Sequence, residues 1–430
     1  MRIIVVGGGV IGLWSAVELA RAGAAVTVLD AGPQGGFASP AAAGWVVPAL
    51  SAPLSGPGVL AHTARQVLRG EAPFSVGPQL TATLLRWLVR FVRSGTARRY
   101  DAGLRAVLDL GAECVDDFTR LQSAGVDLEL RRSGLLMAAI TAGGLDEAAR
   151  LAEVTAAAGY QGGYEILDGT AARAREPALG PRVTGAVHAT DEVQVRPEQV
   201  LRALREQLTG AGGRLVPATV SRIGPGRPGW RVETGTGTFD AERLLVAAGA
   251  WSTELLSPLG VRLPMVAATG YSITTPGTGL APRLAAKLVE PSIAVTPFAE
   301  GVRIAARLDL GRPGGPIPER RFAAVLARTA AYFADWRPGL STATYAGMRP
   351  ATPDSLPLIG PVPGHDGLYV ATGHGMLGLT LAPGTARLVV PLVLDRTRPA
   401  ELAPFALERY LRASTPLRGV AIGVSPVADG

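Results

Sequence analysis

Three glycines near the N-terminus, Gly7, Gly9 and Gly12, constrain this chain more than any other feature. They follow the β-branched run Ile3-Ile4-Val5-Val6 and lead into Leu13-Trp14-Ser15-Ala16-Val17-Glu18-Leu19-Ala20, a helical stretch. A second apolar run, Ala25-Val26-Thr27-Val28-Leu29, ends at Asp30. Strand, G-x-G-x-x-G turn, helix, second strand and terminal acid make a complete β-α-β dinucleotide fingerprint. Gly7 permits the tight turn, Gly9 lets the backbone approach a pyrophosphate, and Gly12 lets helix and strand pack closely. The helix opens at Val10 and Ile11, where free N–H groups and the positive dipole end suit phosphate. Asp30 suits a ribose diol, and an acid there favours an unphosphorylated ribose, so FAD or NAD rather than NADP.

The bulk composition narrows the field. A chain of 430 residues suggests two or three structural units, and at 47% hydrophobic and 18% charged it can bury large cores. The net charge of +7 comes almost wholly from arginine, since Lys287 is the only lysine. No arginine-rich run carries interleaved aromatics, so nucleic acid is not expected as a partner. Cys114 is the only cysteine, which excludes internal disulfides and cysteine-rich metal sites. His62, His188, His365 and His374 lack metal spacing, so no metal is expected. A first strand starting at Arg2 leaves no room for a leader, and no run of 18 apolar residues stands out as a span. The expected compartment is a reducing cytoplasm.

Along the chain, residues 32–60 read as a long loop over a ligand, with Trp45 embedded. Helical periodicity follows, with Leu80, Leu84, Leu85, Leu88 and Val92 on one face. Pro197 opens a helix over 198–210, and Arg214-Leu215-Val216 with Val220 reads as one strand returning to the nucleotide-binding sheet. Residues 261–345 alternate as antiparallel strands do, 347–363 read as irregular, and a helix is expected near 379–394 after a second glycine-rich turn. This predicts an α/β chain of mixed α+β character. A discontinuous nucleotide-binding domain (1–60, 190–260, 347–412) interleaves with an antiparallel-sheet substrate domain (61–189, 261–346), and 413–430 form a tail. Interleaving and the second glycine-rich junction favour a flavoprotein over a nicotinamide dehydrogenase.

Several further segments carry a family resemblance. They are Gly347-Met348-Arg349-Pro350-Ala351-Thr352-Pro353-Asp354 with Pro357-Leu358-Ile359-Gly360, Ala371-Thr372-Gly373-His374-Gly375-Met376-Leu377-Gly378-Leu379-Thr380, Gly270-Tyr271-Ser272 and Ala248-Gly249-Ala250-Trp251-Ser252. Over about residues 1–400 the chain resembles the D-amino-acid-oxidase-like FAD oxidoreductases, nearest their D-amino acid dehydrogenase branch. The resemblance implies a non-covalent FAD. Its site residues would be Gly7, Gly9, Val10, Ile11, Gly12 and Asp30, with Ser39, Gly44, Val220, Gly249 and Trp251, and the turn-and-helix run Gly373, His374, Gly375, Met376, Leu377, Gly378, Leu379 and Thr380. The helix after Gly378 would face the flavin end where negative charge gathers on reduction.

The resemblance also implies catalytic roles. Arg349 would pair with a substrate carboxylate, the alternative being a surface ion pair. Tyr271 would support the same carboxylate or be an ordinary core tyrosine. His374 is either an acid/base group or a structural residue of the flavin turn. One departure stands out: in Ala38-Ser39-Pro40-Ala41-Ala42-Ala43-Gly44 an asparagine is expected where Ala42 stands, and Trp45 follows.

The reaction implied is oxidative deamination of an amino acid, of D, glycine-type or cyclic secondary type. Hydride would pass from the α carbon to flavin N5, giving an imino acid and then a 2-oxo acid. Electrons would go to a quinone or another acceptor. Two alternatives are an oxidase that uses oxygen and releases peroxide, and a non-catalytic FAD-binding subunit. The segment 80–93 has Trp87 and Phe91 at i, i+4 beside Arg86, Arg90 and Arg93, which suits either a core helix or peripheral membrane contact.

Overall fold

The computed structural model describes residues 1–32, 37–58, 74–76, 81–310, 319–341 and 343–410. Leu80 and the tail at 413–430 therefore lie outside the described residues. Two large sheets organise the molecule. The first comprises β1 (Arg2–Val6), β2 (Ala25–Asp30), β9 (Arg214–Pro217), β13 (Arg243–Val246), β19 (Leu358–Pro361) and β20 (Leu368–Thr372), in the order β19-β20-β13-β1-β2-β9. All its pairings are parallel except that of β19 with β20. Its strands come from three separate stretches of chain, and the fully buried Val5, Val28, Leu245 and Val246 show why they read as continuous apolar runs.

The second sheet runs β18 (Ala343–Ala351), β14 (Val266–Thr275), β17 (Gly301–Leu310), β16 (Ile293–Phe298), β15 (Ala285–Leu288), β5 (Leu135–Ala139), β7 (Gly185–Ala189) and β6 (Tyr164–Asp168), with β4 (Phe74–Val76) beside β17. A small sheet holds β10 (Val220–Pro225), β11 (Trp230–Thr234) and β12 (Gly237–Ala241), and β3 (Trp45–Val46) pairs with β8 (Val193–Gln194). The described helices are α1 (Val10–Arg21), α2 (Ala82–Ser94), α3 (Ala97–Gly111), α4 (Cys114–Ser123), α5 (Ala142–Ala157), α6 (Gly169–Arg175), α7 (Pro197–Gly210), α8 (Ser252–Leu256), α9 (Glu319–Ala330) and α10 (Gly378–Asp395).

Apolar residues on all sides of α1 bury it between α7 and α10, with Leu13, Ala16 and Leu19 fully enclosed. Cutting Leu13 back to alanine there costs about 2–5 kcal/mol in lost burial and cavity. Pro197 opens α7 as expected, because an N-terminal proline gives up no helical hydrogen bond. By length and composition alone α10 could cross a membrane, although Arg387 interrupts its apolar run. It is 67% buried inside the protein, against α1 and α3, and reads as a core helix.

Three other expectations change. Residues 343–351 form a regular strand despite Pro350, because β18 is an edge strand where a missing N–H is tolerated. The strand at 214 stops at Pro217, the Ala218 N–H turns back to the Asp30 carbonyl, and Val220 begins β10 in another sheet. In α2 the buried apolar residues are Leu84 and Trp87, whereas Leu85 and Val92 are exposed, so the single predicted face splits into two stripes.

Candidate active site

Glycine geometry shapes the nucleotide end. Gly7 has φ +111°, and a Cβ there would come 2.8 Å from the Ala247 carbonyl carbon, while a Cβ on Gly12 would overlap the Gly7 carbonyl oxygen. Both positions need bare backbone. Val10 and Ile11 turn their side chains into the core, so α1 offers only its N–H groups outward. Gly9 brings no capping side chain and no acid occupies the first turn, although Ser39 Oγ takes the Val10 N–H. The terminus therefore keeps its positive end for an anion. Asp30 accepts from Gly8 N–H at 2.6 Å and Gly32 N–H at 2.9 Å, which fixes the carboxylate at the end of β2 with lone pairs left for a ribose hydroxyl. These residues fit a dinucleotide diphosphate.

Contacts then run from this terminus round to Arg349. Ser39 Oγ accepts from Val10 N–H at 3.1 Å, fastening the 37–44 loop to α1. That loop lies on β18, since a Cβ on Gly347 would come 2.7 Å from Ala41 Cβ and 3.0 Å from Ala38 Cα. Two residues along β18 stands Arg349. Its neighbour Pro350 accepts from Gly375 N–H at 3.0 Å, and Ala351 bridges His374. The turn Gly373-His374-Gly375, with φ +81° and +55° at its two glycines, leads through Met376 and Leu377 into α10. A Cβ on Gly378 would be 3.7 Å from Val10 Cγ1, so the two helix termini sit together. Thr372 Oγ1 donates to the Gly249 carbonyl at 3.0 Å, and Trp251 packs on Phe37 with ring centres 5.3 Å apart. Thr380 accepts from Val47 N–H at 3.1 Å, while Gly44, at φ +87°, passes its carbonyl to Val195 N–H at 2.7 Å. Leu379 packs in the core with α1. Val220 stands apart from this ring of contacts, packed beside the cluster under β13.

The two strand residues behave differently. Arg349 opposes Ala268 across β14, and its guanidinium lies on Gly270, where a Cβ would meet Cζ at 2.5 Å. Burial lowers its pKa to about 10, so it remains cationic at neutral pH in surroundings that strengthen a carboxylate pair. Tyr271 is buried, but strand alternation turns it to the face opposite Gly270 and Arg349. That is the face on which Ile273 packs with Tyr332 and Trp336. The structure does not bring Tyr271 to the Arg349 carboxylate position. His374 likewise points away: its Nε2 pairs with Thr385 Oγ1 at 2.9 Å inside α10, and burial pushes its pKa to about 3. A neutral ring so placed holds the turn and is too weak a base to take up a proton at neutral pH.

Sequence reasoning missed Arg303. This buried residue donates to the Pro40 and Ala42 carbonyls, each at 3.3 Å, to Glu198 Oε1 at 2.5 Å and to Thr274 Oγ1 at 3.2 Å. Its guanidinium also lies over the Tyr345 ring. It therefore holds by their carbonyls the loop in which Ala42 replaces the expected asparagine. Trp45 donates its indole N–H to Thr296 Oγ1 at 2.8 Å and so faces the larger sheet. The only sequence sign of Arg303 was a lone arginine in an alternating strand, which is indistinguishable from a surface charge.

Comparison with known proteins agrees with this geometry. The family model "FAD dependent oxidoreductase" matches residues 2–392. The chain is 33% identical over 422 residues to a D-amino acid dehydrogenase of Cereibacter sphaeroides, covering 96% of each protein. It is 34% identical over 433 residues to D-amino acid dehydrogenase 2 of Ralstonia nicotianae, covering 95% of this chain and all of that one. Among solved structures it is similar to glycine oxidase from Geobacillus kaustophilus, with TM-score 0.73, 26% identity, and 95% and 99% of the two chains covered. The chain is an enzyme that uses FAD, and it belongs to the DAO family of FAD-dependent oxidoreductases.

Proposed function

We propose that this enzyme deaminates a D-amino acid oxidatively and passes the electrons to a quinone-like carrier in preference to oxygen. The observation that carries this reading is Arg349 lying on bare Gly270, beside the turn that starts α10. Arg349 takes the substrate carboxylate in a two-point pair, which fixes the direction in which the α carbon faces. Bound FAD supplies the two-electron acceptor for the Cα–H, leaving an imino acid that water converts to a 2-oxo acid and ammonia. The N-terminus of α10 stabilises negative charge that gathers beside it. No protein base is assigned, since a neutral amine that gives up hydride becomes a protonated imine with no proton to be removed in that step, and neutral His374 is consistent with that. Glycine-type and cyclic secondary amino acids are the neighbouring substrate choices.

FAD is held without a covalent bond. Cys114 is fully buried among Trp14, Phe118 and Leu381, and burial raises its thiol pKa far above the usual range. The reading also places the protein in the cytoplasm, where such a thiol stays reduced. Anaerobic bleaching of the flavin across D- and L-amino acids, glycine, sarcosine and proline tests the substrate. D-amino acids are expected to bleach it fastest. Parallel assays of peroxide release and dye reduction test the acceptor, and stoichiometric peroxide at a comparable rate would make it an oxidase.

A further inference from the structure

α2 and the turn at Leu407–Arg409 border an open surface pocket of about 300 Å³. Arg90, Arg93, Arg99, Arg409, Glu408 and Tyr410 line it. Two of these charges are already matched: Arg409 pairs with Asp354 at 2.9 Å, and Glu408 with Arg398 at 2.8 Å. Among the described residues no carboxylate pairs with Arg90, Arg93 or Arg99. Arg99 spends one N–H on the Arg93 carbonyl, and Arg90 stands 5.8 Å over the Tyr410 ring. Three exposed arginines thus line one open pocket with no ion-pair partner among the described residues, and an anion there would relieve their mutual repulsion.

The rest of α2 says where that anion comes from. Leu84 and Trp87 anchor the helix, with the Trp87 indole N–H donating to the Ala351 carbonyl at 2.9 Å. Trp87 stacks on Phe91, so the aromatic pair does not form the outward face. The outward apolar stripe is Leu85, Val89 and Val92, at i, i+4, i+7, with 49%, 50% and 43% of their surfaces exposed. Arg86, Arg90 and Arg93 form the next stripe round the helix. An exposed apolar stripe flanked by arginines, one of whose ends opens on a cationic cavity, matches an amphiphile with an anionic head.

We propose that this cavity binds a phosphate group, and that the phosphate is the headgroup of an anionic phospholipid whose acyl region meets the Leu85–Val89–Val92 stripe. Arginine forks suit phosphate oxygens, and the stripe supplies the shallow apolar contact that headgroup attraction alone lacks. The inference does not rest on the amino-acid reaction, because its readout is vesicle binding.

The test is flotation of the full-length FAD-loaded enzyme with phosphatidylglycerol–phosphatidylcholine vesicles and with pure phosphatidylcholine vesicles. The enzyme is expected to float with the anionic vesicles only. The triple variant Arg90→Gln/Arg93→Gln/Arg99→Gln and, separately, Leu85→Ser/Val89→Ser/Val92→Ser should each lose at least tenfold in vesicle affinity. Dye-coupled turnover and thermal midpoint should stay near wild type in both. The double variant Arg90→Gln/Arg93→Gln, which leaves the Arg99 bond to the Arg93 carbonyl intact, serves if the triple variant does not fold. Equal binding to neutral and anionic vesicles, or wild-type affinity in the arginine variants, would overturn the proposal. Inorganic phosphate that binds in the arginine cavity while the enzyme ignores both vesicle types would replace the lipid with free phosphate.

Discussion

The phosphate turn and the proposed carboxylate anchor, the two ends of one candidate site, are assembled by opposite means. The turn is local: Gly7, Gly12 and Asp30 define it within the first thirty residues, and each acts through backbone room or a fixed acceptor. The anchor is remote in sequence. Arg349 rests on Gly270, and the loop between them and α1 is held by Ser39 at one end and by Arg303 in its middle. A local device fails by losing its shape. A remote one fails by losing position while the fold survives, and substitutions at the two ends should show that contrast.

The largest effect belongs to the local end. Gly12→Ala puts a methyl into the Gly7 carbonyl, which is backbone and cannot move aside. A loss above about 4 kcal/mol is expected, with failure to retain FAD. A yellow, normally melting Gly12→Ala protein would show that the turn is less tightly specified than its geometry requires.

Next is a pH effect at Glu192, between β7 and β8, which holds the short turn at Pro48–Leu50. Glu192 is buried, accepts from Ala49 N–H at 2.9 Å and from Tyr160 Oη at 2.6 Å, and burial raises its pKa from 4.5 to about 7. A raised folded pKa contributes stability that is fully present below pH ~4.5 and lost as pH rises to about 7, with no further loss from this group above that. The contribution is on the order of 3 kcal/mol. Glu192→Gln keeps both acceptor contacts and should flatten this part of the stability–pH curve, as read by denaturant melts from pH 4.5 to 8. A slope unchanged from wild type would mean that another group titrates there.

Gly270→Ala probes the remote end alone. The new methyl meets the tip of a flexible arginine, which can yield, so stability should fall by no more than about 1 kcal/mol. The apparent KM should rise about tenfold, equivalent to about 1.4 kcal/mol, as the guanidinium is displaced. A change in stability without a change in KM would place Arg349 outside substrate binding.

The smallest effect joins the two ends. Ser39→Ala removes the acceptor for Val10 N–H, and about 1 kcal/mol or less should be lost, chiefly as weaker FAD retention. FAD affinity equal to wild type would show that the loop and α1 hold their places without that bond.

The same contrast explains what was legible in the sequence. β1, α1 and β2 could be read in full because turn, packing and acid follow one another along the chain. α7 was marked by Pro197, and the second glycine turn by Gly373 and Gly375. Arg349 was legible only through its surrounding motif, and its strand was not, because Pro350 reads as a breaker unless the strand is known to be an edge. Tyr271 was placed beside Arg349 by proximity of motifs, whereas cross-strand register decides which residues share a face. In α2 two apolar stripes adjoin, and periodicity cannot say which of them the protein covers. Arg303 meets Pro40, Ala42 and Glu198 from more than a hundred residues away and left no local sign.

The central claim is that Arg349 holds the substrate carboxylate beside the flavin. The most direct measurement is anaerobic flavin bleaching by a D-amino acid in wild type and in Arg349→Leu, with FAD content measured in both. A charge-assisted pair contributes about 1.5–3 kcal/mol, so the variant should keep its FAD and need at least tenfold more substrate for half bleaching. The same concentration dependence in both proteins would contradict the account.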